Sequence, residues 1–199
     1  MTADAGLLSA LSALAAALDD LRTPSMVIGG IAVIARGVPR DTVDIDAAVW
    51  AEGVDIASLL RLLAARAIVP RIADAEAFAA AHQVLLLHHT PTGTPLEVSL
   101  AWLPFEREAM DHASLLDFGG VTVPVANAED LVVYKTVAWR DQDKVDVERL
   151  LVLHGPSMNL DRIRALVRQF ADALDEPDRV IQFDQLVARA LPQPTRDAP

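Results

Sequence analysis

The sequence has no cysteine, few aromatic residues and fewer basic than acidic residues. Of its 199 residues only 5% are aromatic, and 17 Lys and Arg stand against 28 Asp and Glu, for a formal net charge of -11. The lack of cysteine excludes disulfides and thiolate metal sites, and it fits a cytoplasmic protein. The shortage of bases and aromatic rings argues against a broad nucleic-acid surface, which needs dense positive charge and stacking side chains.

Long apolar runs are also lacking, and none reaches the length of a membrane span. The segment 1–21 is rich in apolar residues, but it carries Asp4, Asp19 and Asp20 and lacks the basic start of a signal peptide. We therefore expect a cytoplasmic protein with no membrane partner. With 52% hydrophobic and 23% charged residues, the composition indicates a globular fold.

Hydrophobic periodicity divides the chain into a mixed half and a helical half. Leucines spaced by four and three over 7–21 predict an amphipathic helix that ends before Pro24. Alternation and turn residues then predict short strands at 26–28, 43–50, 83–89 and 96–102, and a small hairpin or bend over 115–123. Helical patterns predict helices at 31–36, 55–63, 74–81, 105–112, 127–140, 143–154, 159–174 and 178–190.

This order predicts an α+β fold. We expect a mixed sheet flanked by helices in residues 1–125, followed by a C-terminal helical part in residues 126–191 that packs on it. The polar, proline-containing tail at 192–199 is expected to be frayed.

The chemistry is concentrated between Gly29 and Asp46. Two adjacent glycines after a strand allow backbone conformations closed to other residues and let a ligand approach closely. Backbone N–H groups at such a turn are suited to phosphate. Asp44 and Asp46 are two residues apart on a predicted strand, so both side chains leave the same face. Side by side the two carboxylates repel each other unless a cation joins them, and Mg²⁺ prefers such oxygen ligands.

These residues resemble the nucleotidyltransferase superfamily that includes DNA polymerase beta. Its mark is Gly-Gly or Gly-Ser, a short helix, and then Asp-x-Asp or Asp-x-Glu on the next strand, which Gly29-Gly30 and Asp44-x-Asp46 match. The fuller string, with Arg40 and Thr42 before the two acids, is similar to AbiEii-type toxins and minimal nucleotidyltransferases. The resemblance implies a nucleotidyltransferase-like fold that binds a nucleoside triphosphate.

The resemblance also implies a third acid on a neighbouring strand, where the family more often has Asp. Glu97 stands at the corresponding place in this sequence. In the implied mechanism two Mg²⁺ ions activate the attacking hydroxyl and stabilise the leaving pyrophosphate. Asp44 and Asp46 would bind both ions, while Glu97 would bind one and serve as general base.

Further nucleotide contacts follow from the same resemblance. Arg40 and Thr42 precede the acidic strand and are expected near the phosphates, with a structural pair between Arg40 and Asp41 or another acid as the alternative for Arg40. Lys135 and Asp146 match a lysine and a downstream aspartate that approach the triphosphate in the AbiEii-like groups. Helical charges are more often salt bridges or solvated faces, so a structural role for Lys135 and Asp146 stays open.

The implied activity is transfer of a nucleoside monophosphate to an acceptor hydroxyl, with release of pyrophosphate. The acceptor remains open among RNA, a protein side chain and a small molecule, and a toxin–antitoxin pair would add an antitoxin or another protein partner. One alternative is a non-catalytic regulatory or partner-binding module with the same fold. Others are a different phosphoryl-transfer or phosphodiester-cleaving enzyme, or a structural protein with a chance motif.

Overall fold

The computed structural model describes residues 5–191, so the tail predicted to be frayed, 192–199, lies outside the described residues. Within 5–191 the chain forms seven strands and nine α-helices. The strands are β1 (Ser25–Ile28), β2 (Ile45–Trp50), β3 (Ile68–Pro70), β4 (Val84–His89), β5 (Pro95–Ala101), β6 (Ser114–Asp117) and β7 (Thr122–Val125). The predicted α+β fold is confirmed.

The helices follow the predicted order closely. They are α1 (Ala5–Leu21), α2 (Gly29–Ala35), α3 (Ile56–Ala64), α4 (Ala75–His82), α5 (Pro104–Asp111), α6 (Ala128–Ala138), α7 (Asp141–His154), α8 (Leu160–Leu174) and α9 (Arg179–Ala190). Asp55 caps α3, because its carboxylate accepts a hydrogen bond from the Ser58 N–H at 2.9 Å. None of the helices in the described range is both long and apolar enough to cross a bilayer.

The seven strands form one mixed sheet in the order β3-β4-β5-β2-β1-β7-β6. β2 runs parallel to β5 and β1 runs parallel to β7, whereas the other neighbours are antiparallel. Buried and less buried residues alternate along β4 and β5, so one face of these strands is covered more fully than the other. The central strands β1 and β2 carry or adjoin the residues singled out by sequence.

Two local expectations need correction. β3 was not predicted, because its three residues are too few to show a periodicity. The helix predicted at 31–36 begins two residues earlier, at Gly29, so the glycine pair opens the helix instead of preceding it.

The chain divides into two compact units. The first comprises residues 5–35 and 40–127 and contains the sheet with helices α1–α5. The second comprises residues 36–39 and 128–191 and contains α6–α9. Within the second unit, the segment 36–39 is held by the His154 ring, whose Nε2 lies 2.7 Å from the Arg36 carbonyl oxygen, and by Arg149, which donates to the Pro39 carbonyl at 2.8 Å.

Candidate active site

The glycine pair touches the acidic strand directly. Gly29 has a φ of +63°, a conformation that L-residues with side chains rarely adopt. A Cβ placed on Gly29 would lie 2.6 Å from the Cβ of Asp46 and would overlap its carboxylate. Only glycine fits this position, because both the backbone angle and the neighbouring side chain exclude a Cβ. The first residue of α2, directly after β1, therefore lies against Asp46.

The second glycine is equally confined, by a different pair of residues. A Cβ on Gly30 would lie 2.5 Å from Thr42 Oγ1 and 3.2 Å from Arg40 Nη2. Thr42 Oγ1 in turn donates a hydrogen bond to Asp44 Oδ1 at 2.7 Å. The segment before β2 is thus folded back onto the start of α2, which brings Arg40, Thr42 and Asp44 beside the glycine pair.

The two aspartates keep the alternation expected from their spacing. Ile45, between them, is fully buried in the core. Asp44 and Asp46 are both partly exposed. Because residues two apart in an extended chain leave the same side, the two carboxylates flank one accessible edge at the start of β2.

Glu97 is placed beside these acids by strand register, but its carboxylate has another partner. In the parallel pairing of β2 with β5, Glu97 lies directly opposite Asp46. Arg71, just after β3, donates from Nη2 to Glu97 Oε1 at 3.1 Å. Throughout residues 5–191, no group of three or more His, Cys, Asp and Glu side chains is arranged to hold one ion. The described site therefore offers Asp44 and Asp46 as its carboxylate pair. Glu97 is adjacent, but its carboxylate is paired with the Arg71 guanidinium.

Lys135 and Asp146 belong to the second unit and contact each other. Lys135 Nζ lies 3.1 Å from Asp146 Oδ2 and 2.9 Å from Asp143 Oδ1. The two carboxylates are almost inaccessible, with side-chain exposures of 0% for Asp146 and 5% for Asp143. Asp146 also accepts from Gln142 at 3.0 Å, and Asp143 from the Arg140 N–H at 3.0 Å. The three charges form a buried cluster between α6 and α7, and the nucleotide contact expected of Lys135 and Asp146 stays a prediction.

Two participants in these contacts, Arg71 and Asp143, stand out in the sequence only as members of charged groups, and sequence reasoning gave neither of them a place in the site. Arg71 follows the unpredicted strand β3, so nothing in the sequence aligned it with Glu97. Asp143 stands three residues before Asp146, and side chains at that spacing lie on one helix face. That spacing was the available signal, but charged helical residues are usually solvated, which hid it.

Gly29 offers a test of the contact with Asp46. Gly53 also has a positive φ, +75°, but a Cβ there would meet nothing within 4 Å. Gly53→Ala should therefore cost only the backbone strain, about 1–2 kcal/mol of unfolding free energy. Gly29→Ala should cost clearly more in urea unfolding, since the new methyl group also displaces the Asp46 side chain. Adding Asp46→Ala to Gly29→Ala should recover part of the difference, and equal costs at the two glycines would contradict the contact.

Solved structures share this fold. The solution structure of the antibiotic-resistance factor ANT(2'')-Ia matches with a TM-score of 0.57 at 19% identity, covering 85% of this chain and 95% of that protein. A crystal structure of ANT(2'')-Ia in complex with adenylyl-2''-tobramycin matches with a TM-score of 0.54 at 17% identity, covering 82% and 95%. At these identities the likeness establishes the fold. No curated protein matches the sequence.

The sequence itself matches a family over almost its whole described length. The match spans residues 6–189, which include the glycine pair, the three candidate acids and the buried cluster of the second unit. The resemblance to the nucleotidyltransferase superfamily is thereby confirmed, whereas the narrower similarity to AbiEii-type toxins stays a prediction. The chain belongs to the family described as nucleotidyltransferase of unknown function, DUF6036.

Proposed function

We propose that this protein transfers a nucleoside monophosphate from a nucleoside triphosphate to an acceptor hydroxyl and releases pyrophosphate. One observation carries the proposal: the glycine turn and the acidic strand are in direct contact, so that Gly29 has no room for a Cβ beside Asp46. A ligand at this edge would meet the half-buried Gly29 and two partly exposed carboxylates together. Strand register produces this contact, because the antiparallel pairing of β1 with β2 places Ile28 opposite Asp46 and therefore Gly29 beside it.

The donor atoms at this edge fit magnesium. Asp44 and Asp46 supply carboxylate oxygens, and Mg²⁺ is usually held by one or two carboxylates together with water and substrate phosphates. When bound there, Mg²⁺ would neutralise charge on the triphosphate and on the leaving pyrophosphate. Thr42 donates to Asp44 and so fixes the orientation of one carboxylate. Involvement of two ions, with Glu97 as an additional ligand, is part of the proposal.

The residues present have distinct parts in the transfer step. Arg40, beside Gly30, carries a planar guanidinium whose donors suit phosphate oxygens. The acceptor oxygen attacks the α-phosphorus and forms a new P–O bond, while the bond from that phosphorus to the bridging oxygen of the β-phosphate breaks. Pyrophosphate carries away the bonding electrons. The acceptor proton passes to a nearby carboxylate, for which Glu97 is the proposed base.

Thermal unfolding with Mg²⁺ and each of the four nucleoside triphosphates tests the binding part of this proposal. A ligand that binds only the folded state raises the midpoint temperature of unfolding. At a ligand concentration of a hundred times its Kd, it adds about 2.7 kcal/mol to the free energy of unfolding. We expect a metal-dependent rise in the wild type that is lost in Asp46→Asn. No rise with any nucleotide would contradict the proposal. A rise without pyrophosphate release under any acceptor would favour the alternative of a non-catalytic module.

The charge of the chain bears on the acceptor. A net charge of -11 disfavours a long polyanion and favours a neutral or cationic acceptor. ANT(2'')-Ia was crystallised with adenylyl-2''-tobramycin, so an aminoglycoside is a sensible first small-molecule acceptor to try. Parallel reactions with tRNA and with a protein substrate would separate the three acceptor classes. A toxin–antitoxin setting rests on the sequence resemblance alone, and a co-purifying antitoxin would support it.

A further inference from the structure

The sheet register aligns Arg71 with two of the candidate acids, Asp46 and Glu97. Asp46 on β2 lies opposite Glu97 on β5, and Glu97 lies opposite Leu86 on β4. The backbone N–H of Arg71 donates to the Leu86 carbonyl at 2.9 Å, which extends the row by one residue beyond β4. Glu97 therefore has a carboxylate on one side and, beyond Leu86, an arginine on the other.

The Arg71 side chain spans that interval and contacts Glu97. Its Nη2 lies 3.1 Å from Glu97 Oε1, with side-chain exposures of 35% for Arg71 and 45% for Glu97. Two neighbouring carboxylates repel each other unless a cation intervenes, and arginine supplies a charge that does not depend on pH. Arg71 therefore offsets the negative charge beside Asp46.

The pair is also weak enough to be opened. Ion pairs with this degree of exposure contribute little stability, because water competes for both partners. A divalent cation held by carboxylates carries twice the charge of a guanidinium at shorter range. A divalent cation at the acidic edge would therefore compete successfully for the same carboxylate.

We infer that Arg71 is a displaceable counter-ion of Glu97: it holds this carboxylate in the metal-free protein and releases it to a divalent cation bound beside Asp46. The inference rests on the proposed function, because it assumes a metal at the Asp44 and Asp46 edge. It makes Arg71 a positioning residue that tunes how tightly the nucleotide-free site takes metal. It also accounts for the absence of a three-carboxylate group among residues 5–191.

Titration with Mn²⁺, followed by the electron paramagnetic resonance signal of the free ion, measures metal affinity without nucleotide or turnover. Arg71→Gln should tighten Mn²⁺ binding by about two- to fivefold, the range that loss of a half-exposed ion pair supports. Arg71→Lys keeps the charge and should stay close to the wild type. Adding Glu97→Gln to Arg71→Gln should remove the gain, since the released carboxylate is then missing.

Arg66→Gln is the matched control for net charge. Arg66 lies in the same unit and pairs with Asp20 at 2.7 Å, with exposures of 42% and 51%. Its loss should leave Mn²⁺ affinity unchanged, and an equal effect of Arg66→Gln and Arg71→Gln would overturn the inference. Failure of the proposed function looks different: Asp46→Asn would then bind Mn²⁺ like the wild type. If Asp46→Asn loses Mn²⁺ but Arg71→Gln changes nothing, only the role of Arg71 is wrong.

Discussion

Asp46→Asn is expected to lower turnover by about 10²-fold or more while the protein remains folded. Asparagine keeps the shape of the side chain and one oxygen, but it removes the charge that would hold the cation. Pyrophosphate release with the best triphosphate and acceptor measures the loss. The midpoint of thermal unfolding should be unchanged or raised, because the variant relieves repulsion between Asp46 and Asp44 in the metal-free protein.

Asp41→Asn is the control for this change. Asp41 lies in the segment before β2 and is exposed, so the variant removes the same charge from the same part of the chain. Its turnover should stay near that of the wild type. If Asp46→Asn retains full turnover, the assignment of the acidic edge as a metal site is wrong. If both variants lose activity equally, the effect comes from local charge rather than from a ligand position.

Lys135→Met is expected to destabilise the second unit by about 3–5 kcal/mol, a cost typical of removing one partner from a buried ion pair. Lys135 is the cation that lies between Asp143 and Asp146, and its own side chain is only 13% exposed. Methionine keeps most of the apolar stem, so the loss reports the charge. Urea unfolding monitored by circular dichroism measures it.

Lys144, a lysine in α7, provides the comparison for Lys135, which lies in α6. Lys144 pairs with Asp141 at 2.9 Å, but the Asp141 side chain is 99% exposed. Lys144→Met should cost no more than about 1 kcal/mol. Combining Lys135→Met with Asp146→Asn should recover part of the stability, because one of the two buried carboxylates that face Lys135 becomes neutral. Equal costs for the two lysines would show that burial of the cluster has no energetic effect.

A second substitution of Lys135 distinguishes a structural role of this residue from a role in nucleotide binding. Lys135→Arg keeps a positive charge near Asp143 and Asp146, so most of the stability should persist. If Lys135 also contacts the triphosphate, the longer, planar guanidinium should still weaken nucleotide binding. Unchanged nucleotide affinity in a stable Lys135→Arg variant would leave the cluster with a purely structural role.

The local part of the candidate site was predictable because its determinants are close in sequence. The glycine pair, Asp44 and Asp46 lie within one strand–helix–strand segment, and alternation fixes which side chains share an edge. The structure brings these residues together and adds a hydrogen bond from Thr42 to Asp44 that spacing does not predict. Spacing and period suffice for such features, since few alternative arrangements exist over so short a stretch.

Other contacts depend on long-range register, which the sequence does not display. The pairing of Arg71 with Glu97 requires three strands to align, and the first of them is only three residues long. The burial of Asp143 depends on how α6 packs on α7, and charge pattern alone cannot distinguish a buried carboxylate from a solvated one. Sequence patterns therefore do not reveal contacts for which packing partners, rather than neighbours in the chain, decide the environment of a side chain.

The segment 36–39 means that the nucleotidyltransferase motif is not encoded by one uninterrupted part of the first unit. Gly29 and Asp46 lie in one unit, yet the four residues midway between them belong to the other, where the Arg36 and Pro39 carbonyls meet His154 and Arg149. The motif consequently depends on residues of both units. A gene fragment ending at codon 127 would encode every candidate acid of the first unit but would remove both residues that anchor this connection, so grafting or shuffling of the motif needs the C-terminal helices as well.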